Sequence, residues 1–269
     1  MTTAHIFDQA VALQQQSDGT FTGHTSAAYA NMVGPFGGIS AAQLLNAVLL
    51  HPQRLGEPLS VTINFAAALA DGPFVIDAHP ARTNRSTQHW VIDVQQNGEI
   101  VLTGTAFTAM RRETWSVDED AMPPCPPPDQ VALPPGQAPM EWVKQYEMRP
   151  IVGGMPQVWD GSGDGSLTQL WVRDQPPRPL DFASLAALSD VFFPRLFVRR
   201  ATAVPVGTVS MTVYFHADAA QLQATGSGYL LAQARAQAFR NGYFDHTAQL
   251  WNEAGVLLAT THQLVYFKN

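Results

Sequence analysis

Charge is scarce in this chain. Asp, Glu, Lys and Arg make up 14% of its 269 residues, against about 25% in ordinary soluble domains. Cations are the scarcer sign, with 15 Lys and Arg against 22 Asp and Glu, a formal net charge of −7. No block of basic residues occurs, and a surface that binds a phosphate backbone needs one, so nucleic acid is not an expected partner. Cysteine is nearly missing too. The one residue, Cys125, cannot form an internal disulfide, and a zinc site built on several thiolates is excluded. It lies within Pro123-Pro124-Cys125-Pro126-Pro127-Pro128, not at a helix N-terminus, where a catalytic thiol is commonly activated.

Long apolar runs are also lacking. None approaches the roughly 18 residues of a spanning helix, so no membrane span is expected. Met1 to Gln16 contains no Lys or Arg and places Asp8 inside its only apolar stretch. It does not read as a secretory signal, and a cytoplasmic location is the default expectation. No Gly-x-Ser-x-Gly elbow marks a serine hydrolase. The eight histidines form no His-Glu-x-x-His pair, so no metal is expected. Asp160-Gly161-Ser162-Gly163-Asp164-Gly165-Ser166 imitates a calcium loop, but its twelfth position is Trp171 rather than Glu. A flexible surface loop is expected there.

Proline is plentiful in one place: eight of the 20 prolines fall between Pro123 and Pro139. Hydrophobic periodicity stops there, as in an extended, partly polyproline connector. It divides the chain into residues 1–115, a linker at 116–139 and residues 140–269. The halves match. Ser60-Val61-Thr62-Ile63-Asn64-Phe65 aligns with Ser210-Met211-Thr212-Val213-Tyr214-Phe215 at an offset of 150. Val91 to Ala109 aligns with Thr247 to Phe267 at an offset of 157; the difference reads as a longer loop between Ala217 and Gly228. Val61, Ile63 and Phe65 alternate with polar neighbours, the period of a half-buried strand. Asn97-Gly98 and Ala254-Gly255 mark hairpin turns. Upstream, Gly38 to His51 and Asp181 to Phe193 read as apolar helices, the second capped by Asp181 and carrying Asp190 within it. Each half is therefore an early strand, one long helix, then three or four antiparallel strands, an α+β layer arrangement.

This duplicated pattern resembles the acyl-CoA thioesterase II family and its thioesterase-like relatives, which have a double hot-dog fold. The resemblance lies in Phe36-Gly37-Gly38, Tyr146-Glu147-Met148-Arg149-Pro150, Leu170-Trp171-Val172-Arg173 and Leu185 to Pro194. It continues through Gly207-Thr208, Tyr214-Phe215-His216 and Gly255 to Leu264. It covers nearly the whole chain after about residue 20. In that family an Asp, a Thr and a Gln hold and activate a water that hydrolyses a thioester. By position these fall on Asp190, Thr208 and Gln263. The offsets put Pro58 and Ala106 at the places of Thr208 and Gln263 in the first half, and Gly38 to His51 contains no acid. A single site, in the second half, is expected.

From the residues alone, each also fits a structural part: Asp190 a solvated helix residue, Thr208 a strand start, Gln263 an amide satisfying a backbone group. Gly37 and Gly38, where backbone can approach a ligand closely, are candidates for substrate contact, though tight packing of a helix start fits them equally. Arg85 and Arg240, with Arg82 and Arg235 beside them, are candidates for the phosphates of coenzyme A, although each also fits an ordinary surface charge. The resemblance implies an acyl-CoA substrate of which coenzyme A is a part, no separate cofactor, and a homo-oligomer. A hot-dog hydratase would need an Asp with a His five residues on, and no Asp here has one. A catalytically silent protein that binds acyl-CoA or serves as an assembly partner remains the alternative.

Overall fold

The computed structural model describes residues 4–136 and 140–268. The last three residues of the expected linker, 137–139, lie outside these, as do residues 1–3 and 269. The first half runs α1 (Ile6–Ala10), β1 (Gln14–Gln15), β2 (Phe21–His24), α2 (Gly37–Leu50), β3 (Glu57–Phe65), β4 (Pro73–Thr83), β5 (Thr87–Gln96) and β6 (Glu99–Ala109). The second runs β7 (Tyr146–Val152), β8 (Thr168–Asp174), α3 (Phe182–Leu188), α4 (Arg195–Arg200), β9 (Val206–Phe215), α5 (Ala219–Thr225), β10 (Leu230–Arg235), β11 (Phe239–Arg240), β12 (Tyr243–Asn252) and β13 (Leu257–Phe267).

All the strands join one antiparallel sheet in the order β1-β2-β4-β5-β6-β3-β9-β13-β12-β10-β8-β7, with β11 paired to β12. The order reads alike outward from the centre: β3 answers β9, β6 answers β13, β5 answers β12 and β4 answers β10. At the centre Thr62 pairs with Thr212 and their hydroxyls lie 3.0 Å apart. These are the residues the offset of 150 equates, so a pseudo-two-fold axis passes between them. The halves share one sheet and one core.

α2 is buried on nearly every side, as expected of a helix apolar all round. Two of its polar residues bond back to the start of the chain: Gln43 Nε2 donates to Ala10 O at 2.7 Å and Asn46 Nδ2 to Val11 O at 2.8 Å. α2 packs against α3, and a Cβ on Gly38 would stand 2.5 Å from Ala187 O. Glycine is thus required where the two helices touch. The β5–β6 turn has positive φ at Asn97 and Gly98, as a tight primed hairpin turn demands.

Three sequence expectations need correction. The helix begun at Asp181 stops at Leu188 instead of continuing to Phe193, and Asp190 lies in the turn beyond it. Ser189 Oγ donates to Leu185 O, Asp190 N–H reaches back only to Ala187 O at 3.1 Å, and Pro194 disfavours helix at Phe193. The expected loop between Ala217 and Gly228 contains α5, closed by a capping box between Asp218 and Gln221. Strict alternation back from Gln263 through Thr261 and Ala259 would put Leu257 on the same face, but it packs with Trp251 and Trp171 in a separate cluster, because β12 and β13 shift register between Leu250 and Trp251.

As far as Gly136 the proline-rich segment forms one 3₁₀ turn, at Pro128–Gln130, and otherwise no helix or strand. It straps across the second half's sheet. Trp171 Nε1 donates to Pro126 O at 2.8 Å, Trp251 Nε1 to Asp120 O at 3.3 Å and Arg149 Nη1 to Val131 O at 2.8 Å. Cys125 packs into the same cluster, where burial pushes its thiol pKa up.

Candidate active site

Asp190, Gln263 and Thr208 come together on the inner face of the sheet. Gln263 Nε2 donates to Asp190 Oδ1 at 2.7 Å, and Thr208 Oγ1 donates to Gln263 Oε1 at 3.4 Å. The Thr208 hydroxyl thus fixes which way the amide points, and the amide presents a donor to the carboxylate. Gln263 is buried and also touches Met211 Sδ at 3.4 Å; its neighbour His262 faces outward, as strand alternation requires.

A β-bulge brings Thr208 to this face. Gln263 pairs with Met211 and Leu264 with Ser210, but Val265 pairs with Thr208, so Val209 is the extra residue. The first half carries the same irregularity: Thr108 pairs with Pro58 and Phe107 with Ser60, leaving Leu59 extra. A bulge re-aims the adjoining side chain. Both repeats are therefore built to turn that residue inward, but the first repeat has Pro58 there. Likewise Ala106 pairs with Val61 as Gln263 pairs with Met211. Across from Ala106 stands the buried Trp90, where His246 stands across from Gln263. In the first repeat an indole thus takes the register position of the imidazole.

Gly37 and Gly38 reach the site from that first repeat. A Cβ on Gly37 would lie 2.7 Å from Asp190 Oδ2, and the Gly38 N–H acts on the carboxylate as a weak donor. The start of α2 therefore faces the acid with its positive dipole end. Burial pushes the Asp190 pKa from 3.8 up to about 7, while the Gln263 and Gly38 donors pull it down. Such a carboxyl is poised to take a proton near neutrality.

Arg240 and Arg85 are not part of this cluster. Arg240 is exposed on β11, paired with Tyr243, at the sheet end where β9 begins. Arg85 is exposed in the β4–β5 turn; Thr87 beside it pairs with Ala109, and Ala109 with Glu57. That register puts it at the opposite end of the sheet.

Sequence reasoning missed the surroundings. Arg195, fully buried, donates to Phe193 O, Ser166 O (3.0 Å) and Thr168 Oγ1 (2.6 Å), anchoring the segment after Asp190 to β8. The imidazole of His246 packs edge-on against Phe192 at 5.2 Å, and burial keeps its pKa well below 6.5. Tyr29, Phe36, Trp142 and Tyr146 form an aromatic wall in which Phe36 and Trp142 stack at 4.2 Å. Burial, with Tyr29, Asp174 and Asp190 close by, raises the Tyr146 pKa well above 10. The wall joins the halves, with Phe36 leading directly into Gly37. Tyr146 was visible only as part of a motif; no local pattern pairs it with Tyr29.

A helix pair held against one duplicated antiparallel sheet, with an acid from one repeat facing a helix start from the other, defines a double hot-dog. The profile of the acyl-CoA thioesterase C-terminal domain matches residues 119–267 and that of the N-terminal domain residues 26–109. The chain belongs to the acyl-CoA thioesterase family. It is similar along 99% of both chains to a conserved hot-dog protein of unknown function from Alicyclobacillus acidocaldarius, at 48% identity and a TM-score of 0.94. It shares its fold with the acyl-CoA thioesterase II TesB2 of Mycobacterium marinum, at 20% identity and a TM-score of 0.76, covering 97% of this chain and 98% of that one. The tesB protein of Mycobacterium avium subs paratuberculosis is also 20% identical, with a TM-score of 0.77 and 98% of each chain covered. No curated protein matches the chain. No helix among the described residues is long and apolar enough to cross a membrane.

Proposed function

We propose that the protein hydrolyses an acyl-CoA thioester by direct attack of water, with Asp190 as general base. One observation carries this reading: a carboxyl held at 2.7 Å by the amide of Gln263, where burial pushes its pKa up to about 7. Ionised Asp190 takes a proton from water as the water oxygen bonds to the thioester carbonyl carbon. The tetrahedral oxyanion then collapses, the C–S bond breaks, and protonated Asp190 returns its proton to the departing thiolate. Free acid and coenzyme A result. Gln263 and, through it, Thr208 orient the carboxylate. Gly38 N–H helps to hold the Asp190 pKa down, and the neighbouring Gly37 N–H is the candidate donor to the oxyanion. Coenzyme A enters as part of the substrate, and the reaction as written asks for no separate cofactor.

Release of free thiol from a panel of acyl-CoAs tests the reading. Asp190→Asn is expected to lower the rate by about 10²–10⁴-fold while the protein stays folded. An unimpaired variant overturns the role of Asp190, and release from none of the thioesters favours a silent binding protein.

A further inference from the structure

Phe65 ends β3 with its ring tip at the start of α2. A Cβ on Gly37 would meet Asp190 Oδ2 at 2.7 Å and Phe65 Cζ at 3.5 Å. The ring tip therefore lies no farther from the acid than these two distances together, about 6 Å. Asp190, Gly37 and Phe65 each keep part of their surface accessible, whereas Gln263, Gly38 and Met211 are buried. Gly37 and Phe65 thus form part of the accessible wall at the acid. Gln263 holds Oδ1, which leaves Oδ2, the oxygen beside Gly37, to meet water.

The duplication shows what this ring lacks. Phe65 and Phe215 are equivalent at the offset of 150, and each ends the central strand of its repeat. Phe215 is buried, with its ring edge-on to Phe182 at 5.7 Å. Phe182 opens α3 as Gly37 opens α2. In the second repeat the helix start thus gives the strand-end ring another ring to pack on. In the first repeat it gives no side chain, and the tip of Phe65 is left against a glycine with the acid on that glycine's other contact.

We propose that Phe65 is a specificity-determining residue, whose ring edge meets the acyl group at the carbon next to the reacting carbonyl and disfavours a branch there. The inference rests on the thioesterase reading. A water bonded to Oδ2 stands about 3 Å from it, and the carbon that the water attacks stands about 3 Å beyond. The carbonyl is then as far out as the ring tip. An oxyanion received by Gly37 N–H brings that carbonyl to the same glycine that Phe65 touches. Phe65 Cζ comes within van der Waals range, about 4 Å, of a substituent on the carbonyl carbon. Sulfur bears one unbranched chain in every coenzyme A thioester, so a limit on bulk at this point is felt as a limit on the acyl group. A CH₂ passes along the ring edge, and a second methyl needs room that the ring occupies.

The test compares two coenzyme A thioesters of equal carbon number, butanoyl and 2-methylpropanoyl, through the ratio of their kcat/KM values. The wild type is expected to favour the unbranched group. Phe65→Ala is expected to narrow that preference about tenfold, the scale of one methyl in a fitted pocket, by raising kcat/KM for the branched thioester. Phe65→Leu should fall between the two. Phe215→Ala, the equivalent change in the second repeat, deprives Phe182 of its partner; it should lower the melting temperature and leave the ratio unchanged. A wild type without preference, a ratio that Phe65→Ala does not move, or one that Phe215→Ala moves as far, overturns the proposal. If the wild type cleaves neither thioester, the hydrolase reading fails separately. Calorimetric binding of the two thioesters then decides Phe65: a preference for butanoyl that Phe65→Ala removes supports its role, and equal or absent binding refutes it.

Discussion

Replacing Asp190 by Asn should make the protein more stable as it destroys activity, and the gain should depend on pH. The folded carboxyl has a pKa of about 7 against an ordinary 3.8. Those roughly three units correspond to about 4 kcal/mol, at about 1.4 kcal/mol per unit. The folded state holds the proton more tightly than the unfolded state. Its contribution is therefore complete below pH 4, falls as the unfolded chain ionises, and is lost by the time pH has risen through 7. Asn titrates nowhere in this range. The two proteins should differ by no more than about 1 kcal/mol at pH 4.5, and at pH 8 the variant should lead by up to about 4 kcal/mol. Replacing an acceptor oxygen by an amide Nδ2 opposite Gly38 N–H trims that lead. Urea unfolding of both proteins at the two pH values measures the gap, and taking the difference at each pH cancels every carboxylate they share. A gap of constant size would refute the high-pKa carboxyl. A variant that is stabilised yet still hydrolyses thioesters would refute its role as base.

Gln263→Leu removes the strongest group holding the Asp190 pKa down, so the inflection of kcat/KM against pH should move above 7; an unmoved inflection would show that the amide does not act on the acid. Gly37→Ala puts a methyl 2.7 Å from Asp190 Oδ2 and should displace the carboxylate by about 1 Å, lowering kcat by roughly 10²-fold with the melting temperature little changed. Gly38→Ala instead presses on Ala187 O and the Phe36 ring, so it should destabilise by about 1–3 kcal/mol, the usual cost of overpacking. Tyr146→Phe deletes a buried hydroxyl with no protein partner and should leave stability unchanged or raise it by up to about 1 kcal/mol; a clear fall in melting temperature would mean that the hydroxyl is bonded.

The repeat was legible because strand pairing preserves sequence spacing. The offset of 150 named Thr62 and Thr212 as equivalents before their hydroxyls were found 3.0 Å apart. The end of α3 was not legible, because Val191, Phe192 and Phe193 continue the apolar run past Leu188 and only Pro194 hints at a stop. A bulge at Val209 leaves no compositional mark either, since one extra residue in a strand changes pairing and not residue type. The capping box Asp218-x-x-Gln221 was a readable signal for α5. The aromatic wall was beyond reach because Tyr29 and Tyr146 meet only through the tertiary fold.

The asymmetry between the helix starts makes the duplication irreversible. α2 opens with Phe36-Gly37-Gly38, but α3 opens with Asp181-Phe182-Ala183. A second repeat freed from the first would expose β9 as a bare edge, ready to pair with another copy of itself. In that homodimer each Asp190 would meet Phe182 where Gly37 now stands, and a Cβ already comes within 2.7 Å of the carboxylate. An ancestral dimer of identical halves can carry two sites. Here Asp190, the proposed base, resides in one half and the glycine that leaves room for it in the other, so on that reading neither half can be lost or copied in place of its partner.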